Sequence, residues 1–124
     1  LGFEKGVIPF ASVSVFPADS RLMESARQAA EALYPGKSRI GRVLSGDQFI
    51  ADRGKVRELY EAMQGDCVEM EGAAVAQVCH LNRIPFVILR SMSDKADGSA
   101  HVNFTEFTRL ASERSAAIVE RMLS

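Results

Sequence analysis

Two acidic residues mark the point where one predicted strand ends. Glu69 and Glu71 flank Met70 in the segment VEMEG at 68–72. In a strand, residues two apart point to the same face, whereas a helix beginning at Glu71 would separate the two carboxylates. Such a carboxylate could accept hydrogen bonds from a hydroxylated ligand such as a sugar. It could equally be an acidic residue favoured at a helix start by the helix dipole, and the spacing alone leaves both interpretations open.

A further acidic residue, Asp94, follows the most apolar predicted strand, PFVILRSM at 85–92, in the sequence Ser93-Asp94. A carboxyl group there would leave the core and face a cleft. Burial would raise its pKa and allow Asp94 to act as an acid near neutral pH. The alternative is an ordinary aspartate in a turn or helix cap, and the spacing does not decide between them.

A third candidate position is the loop SGDQFI at 45–50, which carries Phe49 and Ile50. A ring there could stack on a planar ligand or could anchor the loop to the core. His80 and His101 have no Cys or His partner at metal-ligand spacing, so we expect no metal site. The sequence also lacks the glycine-rich phosphate motifs and the G-x-S-x-G motif, so no cofactor is predicted.

The elements that must position these residues alternate between strands and helices. The predicted strands are at 11–16, 38–44, 67–70 and 85–92, and the predicted helices are at 20–34, 53–63, 72–81 and from a capping box at 103–106 to the C-terminus. This alternation favours an α/β domain with a largely parallel sheet. Ligands bind at the carboxyl ends of the strands in such sheets, which is where all three candidate positions fall.

The composition narrows the range of function classes. The chain has 124 residues, of which 47% are hydrophobic and 25% charged, and its net charge is −1. These values are typical of a soluble globular domain, and the absence of a basic run argues against nucleic-acid binding. No apolar run approaches the roughly 20 residues of a membrane span. Two cysteines, without a secretory segment, fit a reducing compartment, so we expect a cytoplasmic protein.

The motifs together indicate a family. The segment from residue 68 to 107, VEMEGAAVAQVCHLNRIPFVILRSMSDKADGSAHVNFTEF, resembles the C-terminal half of 5′-methylthioadenosine/S-adenosylhomocysteine nucleosidases. These enzymes belong to the purine nucleoside phosphorylase-like family, and the similarity runs along the whole chain. The resemblance implies a three-layer nucleoside phosphorylase-like α/β fold. Its central sheet would be mixed but mainly parallel, flanked by helices, and only its C-terminal half would be present here.

The resemblance also implies a reaction, the hydrolysis of the N-glycosidic bond of methylthioadenosine or S-adenosylhomocysteine with release of adenine. Asp94 matches the acid that protonates or hydrogen-bonds adenine N7, and Ser93 matches the residue that orients it. Glu71 matches the carboxylate that binds the ribose hydroxyls. Met70 would pack on the sugar, and Glu69 would have a supporting role.

Three further matches concern the ends of the substrate. Phe49 matches the ring that stacks on adenine, and the backbone of Ile50 is expected to pair with the adenine edge. Phe104 matches an apolar wall around the 5′-thio substituent. The N-terminal arm matches a segment that closes the 5′ pocket of a neighbouring subunit, which implies a homodimer; its matching residues are Phe3, Val7, Ile8 and Pro9.

Full family members are substantially longer, so residues 1–124 are expected to be the C-terminal portion of a single domain. The residue that activates the attacking water belongs to the other half. Three alternatives stay open from the sequence. They are a related nucleoside phosphorylase, a hydrolase of another nucleoside such as aminodeoxyfutalosine, and a non-catalytic binding domain of the same fold.

Overall fold

The computed structural model describes residues 2–92 and 104–124, which form four helices and a two-stranded sheet. The helices are α1 (Ser20–Leu33), α2 (Arg53–Met63), α3 (Gly72–Leu81) and α4 (Phe104–Leu123), and the strands are β1 (Val43–Ser45) and β2 (Cys67–Glu69). The four predicted helices are therefore confirmed. No helix in 2–92 or 104–124 has the length and apolar character needed to cross a membrane.

The sheet places two strand ends side by side. β1 and β2 pair in parallel, with Val43 opposite Cys67 and Ser45 opposite Glu69. Both strands end at this last pair, and α3, which follows β2, packs against β1. The predicted parallel pairing is confirmed, and it brings the loop after β1 next to the turn after β2.

Helices α1 and α4 pack against each other beside this unit. The buried residues of α1 are all alanines, Ala26, Ala29 and Ala30, and such small side chains let a neighbouring element approach closely. Asp19 caps α1, since its side chain accepts hydrogen bonds from the Arg21 and Leu22 amides at 3.0 and 2.9 Å. The Asp19 amide in turn donates to the Phe86 carbonyl at 2.8 Å, which ties α1 to the segment leading to the candidate site.

Two predicted strands are wrong. Residues 11–16 contain no strand: this region turns back on itself, with the Ala11 amide bonded to the Ile8 carbonyl at 3.1 Å and the Ile8 amide bonded to Ser14 Oγ at 2.9 Å. Residues 85–92 also form no strand. An apolar sequence becomes a strand only where a neighbour supplies the hydrogen-bond ladder. Within the described residues β1 and β2 pair with each other, and the strand predicted at 38–44 is reduced to Val43–Ser45.

Candidate active site

A cleft of about 190 Å³ opens where the two strands end. Its walls come from three parts of the chain: the loop after β1, the end of β2 with the turn that follows, and the segment before residue 93. The lining residues are Gln48, Phe49, Ile50, Cys67, Val68, Glu69, Met70, Glu71, Arg90, Ser91 and Met92. The cleft thus lies at the carboxyl ends of parallel strands, as expected for a ligand site in an α/β sheet.

Five of the residues predicted from the sequence line this one cleft, namely Phe49, Ile50, Glu69, Met70 and Glu71. Phe49 is 75% exposed, so its ring does not anchor the loop to the core. An exposed ring at the mouth of a cleft is free to stack on a planar ligand. Met70 is also exposed beside it.

The two glutamates of the VEMEG segment have different environments. The side chain of Glu69 is only 4% exposed, whereas that of Glu71 is 67% exposed. Glu69 accepts hydrogen bonds from the Gly72 amide at 2.8 Å and the Glu71 amide at 3.2 Å, and it also accepts one from the Ser45 hydroxyl. Glu69 therefore satisfies the free amides at the start of α3, and Glu71 is the carboxylate available to a ligand.

The hydrogen bonds around Glu69 determine its charge state. Burial by itself would raise the pKa of Glu69, because it disfavours the ionised form. The Ser45 hydroxyl, the amides of Gly72 and Glu71, and the positive charge of Arg90 act in the opposite direction and together hold the pKa below its usual value. Glu69 is accordingly a buried, ionised carboxylate at neutral pH.

Arg90 links the two carboxylates and was missed by the sequence reasoning. Its Nη2 lies 3.5 Å from Glu71 Oε2, and its Nε lies 3.7 Å from Glu69 Oε2. The Arg90 side chain is 40% exposed, and the residue lines the cleft. The signal that could have found it is that Arg90 is the single charged residue of the mostly apolar segment 85–92.

Cys67 also lines the cleft, but its thiol is not activated. Burial, and then the nearby negative charge of Glu69, raise the pKa of Cys67. A thiol is nucleophilic only as a thiolate, so Cys67 is part of the wall. In the parts of the chain that the structure describes, no group of three or more His, Cys, Asp or Glu residues could hold a metal ion.

Three further residues predicted from the sequence are Ser93, Asp94 and Phe104. Ser93 and Asp94 lie outside the described residues, although they directly follow Met92, which lines the cleft. Phe104 is the first residue of α4. The predicted roles of these three residues stay predictions.

The N-terminal arm packs near α2 and does not line the cleft described above. Lys5 forms an ion pair with Glu58 of α2, and Gly6 lies so close to Met63 that an added Cβ would be 2.5 Å from the Met63 methyl carbon. Of the four predicted arm residues, Phe3 and Val7 expose much of their side chains, and neither Ile8 nor Pro9 is buried. The arm's predicted contact with a neighbouring subunit stays a prediction.

The ionised state of Glu69 predicts how stability depends on pH. Because the pKa of Glu69 is lower in the folded protein than the value of about 4.3 expected when unfolded, its contribution is complete above that value and is lost as pH falls through the lowered pKa. We therefore expect Glu69→Gln to reduce the free energy of unfolding near neutral pH by about 1–3 kcal/mol, as charge-assisted hydrogen bonds are weakened. The difference from wild type should shrink on acidification.

Denaturant unfolding of the full-length protein at a series of pH values measures this difference. Glu120→Gln, at an exposed position of α4, is the matched control and should run parallel to wild type. Parallel curves for Glu69→Gln and wild type would contradict the assigned charge state.

Comparison with known proteins agrees with this geometry. The model of the phosphorylase superfamily matches residues 1–124. A 5′-methylthioadenosine/S-adenosylhomocysteine nucleosidase from Tolumonas auensis is 40% identical over 98% of this chain and 53% of its own length. The chain therefore spans about half the length of the curated relatives it matches.

Solved structures show the same relationship. The nucleosidase of that name from Neisseria meningitidis, in complex with methylthio-immucillin-A, superposes with a TM-score of 0.86 at 36% identity, over 98% of this chain and 53% of that one. A futalosine hydrolase mutant from Helicobacter pylori gives a TM-score of 0.83 at 29% identity, over 98% and 52%. The predicted nucleoside phosphorylase-like fold is confirmed. Since the family model matches residues 1–124, which include every residue that lines the cleft, the chain belongs to the phosphorylase superfamily.

Proposed function

We propose that the full-length protein hydrolyses the N-glycosidic bond of 5′-methylthioadenosine and S-adenosylhomocysteine and releases adenine. The observation that carries the proposal is the placement of Glu71, Met70 and Phe49 in one cleft at the strand ends. An open carboxylate suits a sugar, and an exposed ring suits a purine. The similarity to nucleosidases of this name supports the same substrates.

Hydrolysis of the N-glycosidic bond requires stabilisation both of the ribose and of the departing adenine. As the bond between C1′ and N9 lengthens, its electron pair moves into adenine and positive charge grows on the ribose. The oxygen of water then bonds to C1′, and the water gives up one proton to the residue that activates it. Glu71 accepts hydrogen bonds from the ribose hydroxyls, and its negative charge favours the cation-like sugar more than the neutral substrate, which is the condition for lowering the barrier.

The purine end is served by groups that carry no permanent charge. The Phe49 ring stacks on adenine, and the Ile50 backbone pairs with its edge. Asp94 donates a proton to N7, so that adenine leaves as a neutral base. Ser93 orients Asp94, and Phe104 walls the 5′-thio substituent. The residue that activates water lies beyond these 124 residues, which form the C-terminal portion of one domain.

The same proposal includes the cellular compartment and the oligomeric state of the enzyme. It acts in the cytoplasm as a homodimer, in which Phe3, Val7, Ile8 and Pro9 of one subunit close the 5′ pocket of the other. The exposed apolar surface of Phe3 and Val7 supports this arrangement, because the arm has side chains left for a further contact.

Adenine release from both nucleosides tests the activity. The full-length protein should release adenine at the same rate with and without phosphate and should yield the free thioribose. A strict requirement for phosphate, with formation of a sugar phosphate, would identify a phosphorylase instead. Binding of the nucleosides without release of base would identify a non-catalytic domain.

A futalosine-type nucleoside is the second candidate substrate. The structural similarity to the futalosine hydrolase of Helicobacter pylori favours it, with a TM-score of 0.83. Side-by-side measurements of kcat/KM for methylthioadenosine, S-adenosylhomocysteine and aminodeoxyfutalosine separate the candidates. We expect the two thionucleosides to be preferred, and a higher kcat/KM for aminodeoxyfutalosine would reassign the substrate.

A further inference from the structure

The last residue pair of the sheet, Ser45 and Glu69, is also part of a hydrogen-bond network. Ser45 lies opposite Glu69 in the parallel register, and its hydroxyl donates a hydrogen bond to Glu69 Oε1. The same hydroxyl oxygen accepts a hydrogen bond from the Ala73 amide at 2.7 Å. One side chain of β1 is thereby bonded both to the end of β2 and to the first turn of α3.

Glu69 closes the turn from the other side. Its carboxylate accepts the Gly72 amide at 2.8 Å and the Glu71 amide at 3.2 Å. Gly72 fits closely here, because an added Cβ would lie 3.1 Å from Glu69 Oε1. The Glu71 side chain makes no capping hydrogen bond to α3, and its Oε2 accepts the Met70 amide at 3.3 Å within the turn.

The residues held in this turn are those that face the cleft. Met70 and Glu71 lie between Glu69 and Gly72, and both line the cleft. Ser45 does not line it, although it lies within the same hydrogen-bond network. Its influence on a ligand would therefore be exerted through Glu69 and through the amide of Ala73.

We propose that Ser45 is a positioning residue of this cleft, which acts through Glu69 and Ala73 to hold the turn that presents Met70 and Glu71 to the ligand. The nature of the ligand rests on the proposed function, but the holding of the turn does not. A residue that contacts a ligand must be held in place by neighbouring residues, because a shift of about 1 Å can remove much of its contribution to binding or catalysis.

Removal of the Ser45 hydroxyl should be visible in the titration of Glu69. The charged and titratable groups facing Glu69 are Arg90 from the segment 84–92, Glu71 from the turn and Cys67 from β2. With the hydroxyl gone, one of the hydrogen bonds that lower the pKa of Glu69 is lost and that pKa should rise. Activity that needs the ionised form should then fall off at a higher pH than in wild type.

The experiment compares Ser45→Ala and Ser45→Thr in the full-length protein with wild type. Threonine keeps a hydroxyl. Ser112→Ala is the matched control, since Ser112 is exposed on α4 and its hydroxyl donates to the Thr108 and Arg109 carbonyls of the same helix. Two quantities are measured: the pH profile of kcat/KM for adenine release, and the hydrogen exchange of the amides at 71–73 relative to those inside α1.

We expect Ser45→Ala to lower kcat/KM roughly 10-fold near neutral pH and to move the acidic limb of the profile upward. The amides at 71–73 in Ser45→Ala should exchange at least several-fold faster than in wild type, with the exchange of α1 unchanged. Ser45→Thr should keep both the pH profile and the exchange rates close to those of wild type. An equal loss at every pH, or exchange at 71–73 that matches wild type, would overturn the positioning role.

The experiment also distinguishes failure of the positioning role from failure of the proposed function. If wild type releases no adenine from any nucleoside, the proposed function is wrong, and the exchange data alone then decide the role of Ser45. Faster exchange confined to 71–73 in Ser45→Ala still supports it, and unchanged exchange rejects it.

Discussion

Glu71→Gln should lower kcat/KM for adenine release by about 10²–10³-fold, the cost typical of losing one preorganised electrostatic contact to a charged transition state. Glutamine has nearly the same shape and can still accept a hydrogen bond from a ribose hydroxyl. It lacks the negative charge that favours the cation-like sugar. The loss should therefore appear mainly in kcat, while KM changes little.

The surroundings of Glu71 support this expectation. Arg90 approaches Glu71 Oε2 at 3.5 Å and Glu69 Oε2 at 3.7 Å, so one guanidinium group partly balances two carboxylates. The remaining negative charge faces a cleft whose other walls include apolar residues such as Ile50 and Val68. Charge interactions are stronger beside low-dielectric walls than in open water.

Steady-state kinetics on the full-length protein with methylthioadenosine measure the effect. Glu120→Gln makes the same chemical change at an exposed position of α4 and should leave kcat/KM unaltered. Glu71→Asp keeps the charge on a shorter side chain and should retain more activity than Glu71→Gln. A Glu71→Gln enzyme with kcat within twofold of wild type would show that this carboxylate does not contact the developing charge.

The helices were predictable because their signals are local. Asp19 precedes the apolar periodicity of α1 and caps it, and Asp52 caps α2 by accepting the Lys55 amide at 2.8 Å. Such residues act on backbone within one turn of themselves, so a short window of sequence contains the cause. The end of α2 is equally local, since Gln64 adopts a left-handed conformation there.

The strands and the polar contacts of the site depend on residues far apart in sequence. The apolar run at 85–92 has the composition of a strand, yet the Phe86 carbonyl bonds to the Asp19 amide and no ladder forms in the described residues. Likewise, nothing near Ser45 reveals that its hydroxyl bonds to Glu69. Pairing depends on register, and register is set by the whole sheet.

The VEMEG segment shows how these two kinds of information combine. The sequence places both carboxylates at a strand end but leaves open which one faces a ligand. The answer comes from α3, which begins at Gly72 and draws the Glu69 carboxylate onto its free amides. Glu71 does not bond to those helix amides; its side chain stays 67% exposed, and the residue lines the cleft. The start of α3 at Gly72 thus decides which glutamate is bonded to the helix amides and which stays exposed.

Asp94→Asn should have the larger effect and should reduce adenine release by about 10²–10⁴-fold, the usual contribution of a positioned general acid. The prediction rests on the resemblance of Ser93-Asp94 to the family's acid and on the position of Met92 in the wall of the cleft, two residues earlier. Asparagine can donate a hydrogen bond to N7 but cannot transfer a proton to it. Adenine would then have to leave carrying the full electron pair without protonation.

Binding should survive this substitution, which separates the acid's role from a structural one. Titration calorimetry of the full-length Asp94→Asn protein with methylthioadenosine should still show a saturable site, because Phe49, Met70 and Glu71 are untouched. Asp19→Asn is the matched control: asparagine caps a helix about as well as aspartate, so α1 and the activity should both persist. Near-normal turnover by Asp94→Asn would remove Asp94 from the reaction, and the leaving group would then need another acid.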